Sequence, residues 1–175
     1  ESEKDRERMQ RAHARGCNEV YTYTKGMGEQ LLVKTRGKVP LVIVRPAITE
    51  SSLSDPEPGW IHGLKVTDPL VVAYGRGMVP DFPARRGAAM DLVPIDIVVN
   101  AIVLAPVRAD AETVSIFHAA TSGQNPLFNT EMFEYVKGYF SAHPLLAKDG
   151  SNAELVEWTF PSVTSFRRAL RWRYM

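Results

Sequence analysis

Tyr21 and Lys25 are the residues of this chain whose types and spacing point most directly to chemistry. A step of four residues on a helix places both side chains on one face, about one turn apart. There the Lys25 ammonium can stabilise the Tyr21 phenolate and lower the pKa of the phenol from its ordinary value of about 10, so that Tyr21 can protonate a carbonyl oxygen. This is general-acid chemistry suited to hydride transfer. Because tyrosine and lysine fall four residues apart by chance in many helices, the surrounding elements must supply the context.

The pair requires a helix, which we predict over residues 19–34, with Asn18 as its cap and Gly37 after its end. The apolar, largely β-branched run at 40–44 then predicts a strand buried on both faces, as in a parallel sheet. Arg45 and Pro46 are expected to end this strand. Residues 47–59 form an irregular loop at the carboxyl end of that strand. Ligands bind at this end of the strands in open α/β sheets.

The remaining pattern is typical of an α/β fold. The further elements predicted, in chain order, are a polar helix over residues 3–15, a helix capped by Asp68, a buried helix over 94–104, a second buried strand over 114–118 and a helix from Thr130 to about Phe140. We expect His118, on the second strand, to be a hydrogen-bonded core residue. From residue 141 the pattern weakens, so we divide the chain into a domain over residues 1–140 and a linker or the start of a further region over 141–175.

The composition sets broad limits on function. The chain has 175 residues, 45% of them hydrophobic, and its 21 basic and 20 acidic side chains give a net charge of +1, so we expect no nucleic-acid partner. One cysteine is typical of a reducing compartment, and we predict a cytoplasmic protein. No apolar run reaches the roughly 18 residues of a transmembrane helix. The four histidines lack the spacing of metal ligands, so we expect no metal site.

Several segments of the chain, in order, resemble motifs of one enzyme family. They are residues 21–25 (YTYTK) with 28–32 (GEQLL), 42–48 (VIVRPAI), 55–60 (DPEPGW), 91–101 (DLVPIDIVVNA) and 117–123 (FHAATSG). In this series the chain closely resembles the fatty acyl-CoA reductases, which belong to the extended short-chain dehydrogenase/reductases. The resemblance implies the carboxyl-terminal half of an extended Rossmann-type reductase domain.

The resemblance also implies an activity and a set of site residues. Enzymes of this family use NADPH to reduce long-chain acyl thioesters, usually acyl-CoA or an acyl carrier thioester, to aldehydes or alcohols. By position, Tyr21 would be the general acid, and Lys25 would lower its pKa and bind the nicotinamide ribose beside it. The residues implied beside the nicotinamide are Arg45, Pro46, Ala47 and Ile48. Residues 49–92 would line the acyl and pantetheine site.

The chain departs from the family pattern at one important place. No glycine-rich G-x-x-G-x-x-G turn, which would hold the cofactor phosphates, occurs in the sequence. The serine or threonine that completes the family's active site is also expected upstream of Glu1. We therefore expect a fragment that binds NADPH poorly alone, with the amino-terminal half of the same protein as its partner. Gly26 and Gly28, on the catalytic helix, suggest the close approach of a helix or a ligand.

Several residues have alternative interpretations. Cys17 is either an acyl-accepting nucleophile or, as we favour, a small semi-buried thiol. Trp60 either lines an acyl tunnel or anchors its loop. Arg85 and Arg86 either contact CoA phosphates or are solvated. The basic and aromatic tail, residues 167–174, either makes a peripheral membrane contact, binds a partner or leads into a downstream region.

Two alternative functions also remain. Another extended short-chain reductase, such as a sugar epimerase or a carrier-bound thioester reductase, would share Tyr21 and Lys25 but would not be expected to carry residues 55–60. A non-catalytic substrate-binding or interaction module is the second alternative, which the lack of a glycine-rich turn favours for the chain in isolation.

Overall fold

A computed structural model describes residues 3–79, 81–147 and 149–174, which form short strands interleaved with helices. The helices are α1 (Glu3–His13), α2 (Val20–Thr35), α3 (Asp68–Gly75), α4 (Ile95–Leu104), α5 (Asn129–Ala142) and α6 (Val163–Tyr174), with a 3-10 turn at Ala105–Arg108. The strands are β1 (Leu41–Pro46), β2 (Ile48–Glu50), β3 (Ala89–Met90), β4 (Leu92–Pro94), β5 (Val114–Ala119) and β6 (Leu127–Phe128). The predicted α/β class is confirmed.

The strands pair two by two. β1 pairs with β5, β2 runs parallel to β4 with Ile48 opposite Leu92, and β3 runs antiparallel to β6. The chain divides into two compact units. The first contains the residues up to Arg45 together with Ala101–Phe117, and the second contains Pro46–Asn100 and the residues from His118 onward.

In the first unit, the cap of helix α2 differs from the one predicted, whereas Gly37, with a φ of 57°, follows the end of the helix as predicted. The residue before its first turn is Glu19, in an extended conformation, so Asn18 is not the cap. At the other end, the Arg36 guanidinium donates hydrogen bonds to the backbone oxygens of Ala111 at 2.9 Å and Glu112 at 3.2 Å. These bonds tie the end of α2 to the loop that precedes β5.

The expected burial of three elements was wrong. β1 is half-buried and continues through Arg45 and Pro46, which we expected to end it. In β5 the stretch that includes His118 is exposed, so His118 is not a core residue of the described chain. In α4 only Asp96 and Val98 are buried. Within the described residues β1 and β5 form a sheet of two strands, which leaves much of their surface uncovered.

The core of the second unit is aromatic. The Trp158 ring stacks on Tyr74 of α3 and on Phe133 of α5, with ring centroids 4.4 and 3.9 Å apart. Tyr74 is 1% exposed, and burial raises the pKa of its phenol. Since Trp158 lies in the predicted linker, that segment packs on the helices rather than leaving them. The division of the chain at residue 140 stays a prediction.

Helices α3 and α5 are also capped by other residues than predicted, one residue before Asp68 in α3 and two residues before Thr130 in α5. The residue before α3 is Thr67, and Asp68 is the first helical residue. The residue before α5 is Phe128, whose N–H donates a hydrogen bond to the Glu131 carboxylate at 3.0 Å. Glu131 therefore satisfies the backbone donor of the residue that precedes the helix, as the third residue of a capping box does.

The contact between α3 and α5 at Gly75 gives a stability prediction. A Cβ atom at Gly75 would lie 2.6 Å from Cζ of the buried Phe140 ring, so Gly75→Ala forces the ring or a helix to move. We expect a loss of about 1 to 3 kcal/mol in the free energy of unfolding, measured by urea denaturation followed by circular dichroism.

Gly138→Ala is the matched control on α5. It adds a methyl group where nothing lies within 4 Å, and we expect it to leave stability unchanged or to raise it by up to about 1 kcal/mol. A Gly75→Ala variant as stable as the parent would contradict the close packing of these helices.

Candidate functional site

Tyr21 and Lys25 lie on the first turns of α2, as predicted. The Lys25 Nζ is 5.6 Å from the centre of the Tyr21 ring, so the four-residue step does place the ammonium beside the phenol. Tyr21 is 66% exposed, and within the described chain neither its hydroxyl nor the Lys25 ammonium has a hydrogen-bond or ion-pair partner. Both groups are therefore accessible as donors to a bound molecule.

The two glycines of α2 meet no close neighbour. A Cβ atom at Gly26 or at Gly28 would have nothing within 4 Å in the described chain. The helix-to-helix packing that we expected at these glycines is therefore not made by the described residues.

Arg45, at the end of β1, is bound by a residue of helix α2. Its Nε donates a hydrogen bond to Oε1 of Glu29 at 2.9 Å, and a second guanidinium nitrogen donates to Oε2. The hydrogen bond with Glu29 and the attraction between the charges raise the pKa of Arg45. This two-point pairing fixes direction as well as distance. It joins α2 to the end of the strand from which the nicotinamide contacts were predicted.

Pro46, Ala47 and Ile48 follow directly and belong to the second unit. The Ala47 N–H donates to the Ala119 oxygen at 2.9 Å, and the Ile48 N–H donates to the Asp91 oxygen at 3.1 Å. Both donors are therefore already paired, which leaves apolar side chains and carbonyl groups as the features that these residues offer to a cofactor.

Asp96, at the start of α4, holds the loop that follows β2. Its buried carboxylate accepts hydrogen bonds from the N–H groups of Leu53 at 3.0 Å, Ser54 at 2.9 Å and Asp55 at 3.2 Å, and from the Ser54 hydroxyl at 3.2 Å. These bonds, the one from Leu53 first, hold the pKa of Asp96 well below its usual range. The predictions from sequence did not include this role. The DLVPID motif drew attention to Asp96, but not to its partner loop.

Trp60 lies at the end of the same loop. The Ser52 N–H donates to the Trp60 oxygen and the Gly59 N–H donates to the Ser52 oxygen, both at 2.9 Å. The backbone thus closes the loop on itself, while 41% of the Trp60 side chain is exposed. An exposed indole on a fixed loop offers an apolar surface to a ligand.

Asp91, five residues before Asp96, holds another loop in a similar way. Its Oδ1 accepts hydrogen bonds from the N–H groups of Thr121 at 3.0 Å and Ser122 at 3.2 Å, and hydrogen bonds from Ser122 and Thr121 lower the pKa of Asp91. The Thr121 hydroxyl donates to the Leu92 oxygen at 2.7 Å. Two of the segments that carry the family resemblance, 91–101 and 117–123, are joined by these bonds.

Arg85 and Arg86 lie on an exposed loop that is held by its backbone. The buried Asn129 donates from its amide nitrogen to the Arg85 oxygen and accepts from the Gly87 N–H, both at 2.9 Å. The Arg86 guanidinium lies 5.9 Å from the centre of the Phe160 ring. Both arginine side chains are exposed, which suits either a phosphate ligand or solvent.

Cys17 is half-buried, which confirms the expectation of a semi-buried thiol.

Of the predicted site residues, Tyr21, Lys25 and Arg45 belong to the first unit. The others, Pro46, Ala47, Ile48, Trp60, Arg85 and Arg86, belong to the second.

Comparison with known proteins identifies the family. An NAD-binding family model, described as Male sterility protein, matches residues 1–102. Fatty acyl-CoA reductase 1 of Arabidopsis thaliana is 39% identical over 156 residues, which are 88% of this chain and 32% of that protein. The chain belongs to the fatty acyl-CoA reductase family. This assignment confirms the predicted resemblance and identifies the α/β fold as that of a Rossmann-type extended short-chain dehydrogenase/reductase.

Other members of the fatty acyl-CoA reductase family show the same partial overlap. Probable fatty acyl-CoA reductase 4 of Arabidopsis thaliana is 36% identical, with 94% of this chain and 34% of that protein covered. The alcohol-forming fatty acyl-CoA reductase of Simmondsia chinensis is 35% identical, with 81% of this chain and 29% of that protein covered. The chain spans about a third of the length of the curated relatives that it matches.

A solved structure is also similar in part. UDP-glucose 4-epimerase of Thermotoga maritima, with UDP-glucose, aligns with a TM-score of 0.46 and 16% identity, covering 83% of this chain and 44% of that one. This similarity is too low to support an argument about function.

Among the described residues, none of the helices combines the length and the apolarity needed to cross a bilayer.

The hydrogen bonds to Asp96 predict a pH dependence of stability in this fatty acyl-CoA reductase chain. A carboxyl group whose folded pKa is depressed stabilises the fold at pH values above its unfolded pKa, about 4, and this stabilisation is lost as the pH falls through the folded pKa. We expect Asp96→Asn to lower the urea midpoint at pH 7, and the difference between variant and parent to shrink below about pH 4.

Glu154→Gln, which removes an exposed carboxylate, is the control and should leave the midpoint unchanged. Equal midpoints for Asp96→Asn and the parent at neutral pH would show that the loop does not depend on this carboxylate.

Proposed function

We propose that the intact protein reduces a long-chain fatty acyl thioester, acyl-CoA or an acyl carrier thioester, to an aldehyde or an alcohol with NADPH. The observation that carries this proposal is the Tyr21 and Lys25 pair on α2, with both polar groups accessible. Family membership supports it, because relatives that are 35 to 39% identical carry the name fatty acyl-CoA reductase and one is called alcohol-forming.

In this proposal Tyr21 is the general acid. When bound, NADPH supplies a hydride to the thioester carbon, and the Tyr21 hydroxyl donates its proton to the oxygen of that carbonyl. The Lys25 ammonium then lies beside a phenolate, which it stabilises by charge. The product of this step is a hemithioacetal. Its C–S bond then breaks, the thiol leaves as a thiolate that takes a proton from solvent, and the hydroxyl proton returns to the Tyr21 phenolate, which gives the aldehyde. Reduction on to the alcohol would need a second NADPH and a second proton from Tyr21, which is then reprotonated from solvent.

The residues present fit a nicotinamide cofactor in their donor chemistry. The Tyr21 hydroxyl and the Lys25 ammonium are donors without a partner in the described chain, as ribose hydroxyls require. Since the N–H groups of Ala47 and Ile48 are already paired, we expect Arg45, Pro46, Ala47 and Ile48 to contact the ring through apolar and carbonyl groups. The choice of NADPH over NADH is part of the proposal.

The loop regions of the second unit are proposed to bind the substrate. Trp60, on the loop closed by Ser52, supplies an apolar wall for the acyl chain or the pantetheine. Arg85 and Arg86 supply exposed guanidinium groups for the phosphates of CoA. Each remains a prediction for mutagenesis in the intact enzyme.

The proposed partner is the amino-terminal portion of the same protein, which would bring the glycine-rich turn and the active-site serine or threonine. In its support, the chain covers about a third of the length of its relatives, and among the described strands β1 pairs with β5 alone. A cytoplasmic location stays a prediction.

Tyr21→Phe in the full-length protein tests the proposed chemistry. We expect turnover to fall by about 100-fold or more because the proton donor is removed, measured as NADPH oxidation with a long-chain acyl-CoA. Tyr23→Phe is the matched control, since Tyr23 lies on the same helix but has Met27 rather than a lysine four residues later.

Activity retained in Tyr21→Phe would exclude the general-acid role. Turnover of NADPH by the 175-residue chain alone would contradict the proposed need for the amino-terminal portion. A full-length protein that binds acyl-CoA but never oxidises NADPH or NADH would favour the non-catalytic alternative.

A further inference from the structure

Helix α6 carries a concentrated positive charge. Its twelve residues contain arginines at 167, 168, 171 and 173 and no acidic residue. Ser162 precedes the helix, and its Oγ accepts a hydrogen bond from the Ser165 N–H at 3.2 Å. Arg167, Arg168 and Arg171 are exposed and form no ion pair with residues that the structure describes. Their guanidinium groups are therefore accessible to a partner outside the described chain.

An exposed tryptophan accompanies these arginines. Trp172 is 86% exposed and lies four residues after Arg168, on the same side of the helix. The apolar side chains of Phe166 and Ala169, by contrast, are half-buried. Part of the apolar surface of α6 is therefore half-buried, whereas the Trp172 indole is exposed beside the arginines.

We propose that the outer face of α6, formed by Arg167, Arg168, Arg171 and Trp172, docks on the surface of an anionic lipid bilayer. Arginines are attracted to anionic headgroups, and an indole ring, apolar with one N–H donor, is suited to the headgroup level. At 12 residues the helix is about 18 Å long, shorter than the roughly 30 Å hydrocarbon core, so it lies on the surface.

Two observations favour a bilayer over a nucleic acid. The whole chain has a net charge of only +1, although α6 contains four arginines and no acidic residue, so the excess of positive charge lies in this helix rather than along an extended groove. The single indole beside three exposed arginines suits a flat interface. This inference goes beyond the proposed reaction and does not depend on it.

Vesicle binding of the full chain tests the inference. Flotation is measured with vesicles of phosphatidylcholine alone and with vesicles in which about a third of the lipid is phosphatidylserine. We expect binding to the anionic vesicles only, weakening as salt is added. Arg168→Gln with Arg171→Gln should reduce the partition coefficient about fivefold for each arginine removed.

Arg6→Gln with Arg15→Gln is the matched control, because it removes the same charge from exposed positions outside α6 and should bind as the parent does. Anionic vesicles should also shift the tryptophan emission to shorter wavelength, and Trp172→Phe should abolish this shift, although Trp60 and Trp158 remain.

Three outcomes would overturn the inference. They are equal binding to neutral and anionic vesicles, equal weakening by the control variant, and failure to bind anionic vesicles at low salt. Binding of a polyuridylate probe without vesicle binding would assign the face to nucleic acid instead.

Discussion

The second unit depends on one buried carboxylate. The loop after β2 has little regular backbone pairing, and N–H groups that leave water without an acceptor destabilise the fold. Asp96 accepts three of them in sequence, from Leu53, Ser54 and Asp55. Since Asp96 also lies in the first turn of α4, the shape of the loop and the start of the helix are fixed together. Trp60 lies at the end of this loop, so its position depends on the shape of the loop and on the start of the helix.

The same device recurs at Asp91, which accepts the N–H groups of Thr121 and Ser122. Two carboxylates five residues apart therefore hold two loops that are distant in sequence from them and from each other. Between them, β4 pairs in parallel with β2. The segment from Asp91 to Asp96 is thus a common support, from which the proposed substrate-binding loop is positioned.

Patterns in the sequence predicted the features that depend only on residues close together in the chain. The four-residue step from Tyr21 to Lys25 depends only on helical periodicity, and the structure places both on α2 as expected. The caps predicted at Asn18 and Thr130 were wrong by one and two residues because several neighbouring side chains suited the role. The burial of His118 was wrong because burial depends on what covers a strand. The bonds of Asp96 and of Arg45 span 43 and 16 residues, beyond the reach of any periodicity.

The pairing of Glu29 with Arg45 has a geometric consequence for the phenol. Glu29 lies eight residues after Tyr21, and at 100° per residue the two side chains project about 80° apart around the helix axis. A carboxylate held at two points by a guanidinium resists rolling of the helix about that axis. The end of β1 thereby sets the angular direction in which Tyr21 presents its hydroxyl, about two helical turns before Glu29.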